Sequence, residues 1–165
     1  RMTKQLLATL SLLLLVALPA SAVEKKGIEL KSTAEVDIVV KNDKGVNEVV
    51  RVAAADANVA PGDTVIFTTR YEYQGAQPAT NVVINNPMPE HMLYVDGTAE
   101  GKGTRIDFSV DKGLTFAAAD KLKIKDAEGK EQPASAADYT HIRWTIDGAL
   151  QNGAKGSVSF KAKVK

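Results

Sequence analysis

The 165-residue chain has no cysteine, which excludes a disulfide scaffold, a thiolate metal centre and a cysteine nucleophile. Aromatic residues make up only 5% of it, histidines number two, and neither charge sign dominates: 21 basic residues against 20 acidic ones give a formal +1. A duplex nucleic-acid binder needs a concentrated positive surplus to neutralise phosphates, so no nucleic-acid partner is expected. What remains, 44% hydrophobic and 25% charged, is the composition of a globular chain.

The first informative segment is an address. Leu6 to Leu18 reads LLATLSLLLLVAL, preceded by Arg1 and Lys4 and followed by Pro19 and Ala20-Ser21-Ala22. As a helix this run would span roughly 20 Å, short of the roughly 30 Å of bilayer hydrocarbon. A basic start, a short apolar run and small residues at its end make a cleavable signal peptide over residues 1–22, with cleavage expected after Ala22. The mature protein would start at Val23 and be exported, to the periplasm, the cell surface or the medium, with no stable membrane span. Loss of Arg1 and Lys4 turns the formal +1 into −1. No cysteine follows the apolar run, so a lipoprotein anchor is excluded.

After residue 27 the apolar residues recur with period two, and no window sustains a helical stripe. Val36, Ile38 and Val40 alternate, Asn42-Asp43-Lys44-Gly45 supplies turn chemistry, and Val49-Val50-Arg51-Val52 follows, so a hairpin is expected at about residues 28–55. Ala60-Pro61-Gly62-Asp63 is a second turn, and it leads into the strongest strand, Thr64–Tyr73. Further strands are expected at Thr80–Asn85, Leu93–Val95, Ile106–Val110, Leu122–Ile124, around Trp144, and over Val158–Val164, with Pro87 and Pro89 stopping the first of these. Ala117–Asp120 and Ala134–Asp138 have room for a helical turn within loops. The fold class is therefore all-β, an immunoglobulin-like antiparallel β-sandwich of about seven to nine strands. Its expected organisation is signal peptide 1–22, N-terminal strand and hairpin extension 23–56, and sandwich 57–165.

The order of short motifs adds a resemblance. Val59-Ala60-Pro61-Gly62-Asp63-Thr64-Val65, Ala79-Thr80-Asn81-Val82-Val83-Ile84, Pro87-Met88-Pro89 and Leu93-Tyr94-Val95 occur in series. They are followed by Trp144-Thr145-Ile146-Asp147-Gly148-Ala149-Leu150, Gly153 to Gly156, and Ser157-Val158-Ser159-Phe160. Over about residues 57–165 this series resembles the bacterial and archaeal surface conserved-repeat domain known as domain of unknown function 11. Asn85-Asn86-Pro87 stands where that family commonly has an acidic residue before proline, and one copy is present instead of a tandem array. The resemblance implies an immunoglobulin-like envelope module with a structural or adhesive role, and it implies no enzyme.

Candidate chemistry is sparse. His91 and His141 fall in different elements and lack a third ligand at metal spacing. No G-x-S-x-G elbow is present to present a serine nucleophile. Asn42–Gly45 and Asp126–Glu131 place oxygens beside glycine without the spacing that makes a calcium loop converge, so both are expected to be solvated turns. Arg105 and Arg143 are expected to face water or pair with an acid on a neighbouring strand. Trp144 is expected in the core. Tyr71 and Tyr73 extend the core-facing register of their strand toward its rim, where packing or a contact surface would suit them. Lys161 and Lys163, alternating with apolar residues, keep one face of the last strand wet and are the other candidate contact residues.

The expected function is that of a non-enzymatic exported cell-envelope protein, needing no cofactor or metal and acting through contacts with envelope or surface proteins or with itself. One alternative is a self-assembling fibre or pilus-like subunit with residues 23–41 as a donor strand. A second is a carbohydrate- or cation-binding module.

Overall fold

Alternation over Thr64–Tyr73 puts Val65, Phe67, Thr69, Tyr71 and Tyr73 on one side of a strand and Ile66, Thr68, Arg70 and Glu72 on the other. The chain repeats this device in every long strand and builds two antiparallel sheets from it. The structure, a computed structural model, describes residues 21–22 and 27–165. The signal peptide expected over residues 1–22 lies outside the described residues except for Ser21–Ala22.

The smaller sheet runs in the order β1 (Ser21–Ala22), β5 (Val83–Pro87), β11 (His141–Ile146) and β8 (Thr104–Ser109). The larger runs β3 (Asn47–Ala53), β2 (Ile28–Lys41), β4 (Thr64–Tyr73), β12 (Lys155–Val164) and β6 (Met92–Tyr94), with β7 (Glu100–Gly101) also paired to β12. A separate hairpin joins β9 (Lys123–Lys125) to β10 (Glu131–Pro133). There is no α-helix among the described residues. Single 3-10 turns at Ala119–Lys121 and Ala136–Asp138 fall close to the two places where helical turns had room, and a third lies at Ala54–Asp56.

This is the all-β antiparallel sandwich expected from the alternation. Twelve strands replace the expected seven to nine because β1, β7 and β10 are two- or three-residue pieces too short to show a period. Pro87 ends β5 as its last residue, since it has no amide hydrogen to donate. The N-terminal hairpin joins the same sheet as β4, and Val36 and Ala54 are buried in the common core.

The core lies between the inner faces. Trp144, Ile142 and Ile84 of the small sheet are fully buried, facing Val65, Val158 and Phe160 of the large one. Trp144 and Phe160 bridge the sheets with ring centroids 6.1 Å apart, and Phe160 stacks on its cross-strand neighbour Phe67 at 5.1 Å. The indole Nε1 donates to the carbonyl of Glu100 at 3.1 Å, so the tryptophan is buried with its one polar atom satisfied. At the other end Tyr94, Phe108 and Tyr139 form an aromatic cluster.

Candidate contact surface

Register decides what the large sheet shows to solvent. Lys161 lies opposite Ile66, Lys163 opposite Thr64, Glu35 opposite Ile66, and Asp37 opposite Arg51, so all seven share the outer face. Lys161 and Lys163 are exposed there, as alternation requires. The face carries both signs. Arg51 donates to both carboxylate oxygens of Asp37 at 2.7 and 3.0 Å, and Lys155 lies 3.4 Å from Glu72 on the neighbouring strand. The Arg51 hydrogen bonds hold the Asp37 carboxyl below its usual range.

Tyr71 and Tyr73 are a correction to the expected contact surface. They are only 8% and 4% exposed and belong to the core. Their partners explain why the register persists to the strand end. Gly156 stands opposite Tyr71 with no side chain, and a Cβ there would collide with the phenol. Tyr73 packs over Gly75 in the same way and donates its hydroxyl to the carbonyl of Gln77. Each glycine makes the space its tyrosine fills. Burial raises the Tyr71 phenol above its ordinary pKa.

A projecting arm was not anticipated as a surface. β2 pairs with β4 over Ile28–Glu35 and with β3 over Glu35–Lys41, so the ladder to β4 ends where the ladder to β3 begins. Beyond Glu35 the β2–β3 ribbon leaves β4 behind. Its turn is locked by Asn42, whose Oδ1 accepts from the amides of Lys44 and Val46 at 3.0 Å each, while Gly45 takes the positive φ of 74°. The outer face of this ribbon holds the opposed pair Val39 and Val49, 66% and 68% exposed, with Val46 beside the turn. The signal for them was in the sequence. In Ile38-Val39-Val40 and Val49-Val50 an unbroken apolar run crosses a period-two pattern, so some valines must point outward.

A groove of about 840 Å³ lies between the arm and the body of the sandwich. Ile66 is in its lining, buried yet outside the core cluster, together with Val59 and Val95, and Asp37, Asp56, Asp63 and Lys161 supply its charges. The mix of apolar and charged side chains suits a polypeptide segment better than a single compact anion or cation.

The remaining candidates are structural. His91 and His141 are not brought together with other ligands: no group of three or more His, Asp or Glu is placed to hold a metal ion among the described residues. His141 sits against Thr140 with its Nδ1 3.2 Å from the hydroxyl. Burial lowers its pKa, and the nearby Asp111 carboxylate partly offsets this. Asp111 Oδ1 accepts from Ser109 Oγ at 2.7 Å and from the Thr115 amide at 2.9 Å. Its Oδ2 accepts from the Thr115 hydroxyl. Ser109 donates directly to the carboxylate with no imidazole between them, which is a turn-locking arrangement and not a nucleophile awaiting a base. Asp126 likewise accepts from the amides of Glu128 and Lys130. Arg105 pairs with Asp107 at 3.1 Å two residues along its own strand, whereas Arg143 bonds Asn85 and lies over the Phe116 ring.

No protein-family model, curated protein or solved structure matches this chain.

Proposed function

We propose that this chain is a non-enzymatic exported protein of the cell envelope, a structural or adhesive module that acts through protein contacts. The observation that carries the reading is the β2–β3 arm, which extends past β4 with Val39 and Val49 turned to solvent beside a mixed apolar and charged groove. Exposed aliphatic side chains that adjoin across a ribbon form a contiguous apolar surface, the kind of feature that suits a protein contact. The leader-like residues 1–22 and the motif series resembling a surface conserved-repeat domain support an envelope location. The side-chain clusters described above lock turns, and none of them aligns a nucleophile with a base.

The test is expression of the full chain in a bacterial host, with fractionation and mass measurement of the product. The expected product is an exported chain beginning at Val23 that co-sediments with envelope fractions, and that loses this association when Val39 and Val49 are both changed to Lys. A chain that stays in the cytoplasm with residues 1–22 attached sinks the reading.

A further inference from the structure

A sandwich of two sheets has four edges, and three of them are closed or short. β5 is five residues long and ends in a proline, β8 is bordered by the bridge between Phe108 and Ala117, and β6 and β7 are three and two residues long. β3 differs. It ends the large sheet, it is seven residues long without proline or glycine, and it has no partner on its far side among the described residues. An open edge of that kind is a template for another strand.

The hydrogen-bond phase fixes which groups are free. The Asn42 amide donates to the Val46 carbonyl, so alternation makes 40–48 and 38–50 the bonded pairs of the hairpin. The N–H and C=O groups of Asn47, Val49 and Arg51 therefore point to the open side. The same strand carries Val49 on its outer face, opposite Val39. With Val46 these make three of the four exposed large hydrophobic residues among those described, the fourth being Leu114.

We infer that β3 pairs antiparallel with β3 of a second copy of this chain, about a two-fold axis at Val49. A two-fold perpendicular to the sheet places residues of the same face opposite one another, so odd positions meet odd positions. Centring on Val49 sets Asn47 opposite Arg51 of the second copy and builds a continuous row of four valines, Val39 and Val49 from each chain. Centring on Arg51 would oppose two guanidinium groups. In the Val49 register Arg51 enters the seam already neutralised by Asp37, so no unpaired like charges meet. A single strand pair buries less than the roughly 1,200–2,000 Å² of a standard interface, so the dimer is weak and concentration-dependent. This names a partner for the contact role proposed above and rests on that reading.

Because the chain lacks cysteine, one substitution tests the register. In a bonded antiparallel pair the Cα atoms are about 5.5 Å apart, within disulfide reach. Purified V49C under mild oxidant should form a disulfide dimer, while L114C, at a still more exposed loop position, should not. Sedimentation of the parent should show a monomer–dimer equilibrium as concentration rises toward about 1 mM. V49P, which removes an N–H the hairpin does not use, and V39K, which leaves the edge backbone intact, should each weaken it by roughly tenfold or more. V49C linking no faster than L114C, or V49P and V39K both sedimenting like the parent, overturns the inference. That result leaves the contact role standing if the parent chain still co-sediments with envelope fractions. Circular dichroism of each variant separates loss of pairing from loss of fold.

Discussion

The guanidinium of Arg143 lies 3.6 Å from the centre of the Phe116 ring while its Nε donates to Asn85 at 2.8 Å. Arg143 is on β11 and Phe116 on the loop after β8, so the stack pins that loop to the outer face of the small sheet. Backbone bonds between Phe108 and Ala117 hold the loop's far end. Phe116→Ala should therefore cost about 0.5–2 kcal/mol in thermal or denaturant unfolding. Hydrogen exchange at the Ala117 amide should speed up in the same variant. Unchanged exchange there would mean that the backbone bridge alone orders the loop.

Gly156 and Tyr71 make a second pair whose sizes are set against each other. A Cβ at Gly156 meets the phenol ring, and the ring is held by the core behind it. Gly156→Ala should destabilise by about 1–3 kcal/mol, the usual cost of overpacking. In a Tyr71→Ala background the same change should cost much less, because the obstacle is gone. Additive losses in the double-mutant cycle would show that Gly156 is needed for its backbone alone.

Asp111 and His141 predict where acid acts. The Thr115 hydroxyl, then Ser109 and the Thr115 amide, hold the Asp111 carboxyl at about 2, below its usual 3.8. The folded group resists protonation more than the unfolded one, so its contribution is complete above 3.8 and is lost as pH falls from 3.8 toward about 2. Burial depresses His141 below 6.5, so the unfolded chain takes up that proton first and stability starts to fall as pH drops below 6.5. His141→Gln should flatten the upper window, and Asp111→Asn should flatten the lower one. Urea midpoints across pH 2.5–7.5, taken at about half-unit steps, check both.

The long strands were legible in the sequence because period two is strong when one face is dry. Thr64–Tyr73 and the alternating end of β12 have the limits and faces that their side chains dictate. The Asn42 turn was legible too, because its side chain makes the turn locally. What stayed hidden depends on distant pairing. Tyr71 looked like a rim residue because nothing nearby in sequence marks Gly156 as the gap that receives it. Arg143 was expected to face water or pair with an acid on a neighbouring strand, and register brought it Asn85 and a loop phenylalanine. The arm was hidden for the same reason. Its valines are visible in the sequence, but the point where β2 leaves β4 is set by the ladder.

That point of departure also bears on whether residues 23–41 serve their own chain or a neighbour. Within the chain β2 lies between β3 and β4, bonded to β4 along Ile28–Glu35, with Val36 buried and Ile28, Leu30, Ala34 and Ile38 packed against the core. Deleting residues 23–41 would uncover the β4 edge, strip those apolar contacts and leave β3 without its partner. A strand that supplies so much of one face cannot be an accessory to a finished fold, so the deleted chain should be unfolded or aggregated at room temperature. A synthetic peptide of Ile28–Lys41 added during refolding should restore part of the native circular dichroism, since the empty slot keeps its register. A deleted chain that instead melts cooperatively as a monomer, near the parent midpoint, would show that β2 is dispensable to its own subunit. It would then be free to act as a donor strand for the next.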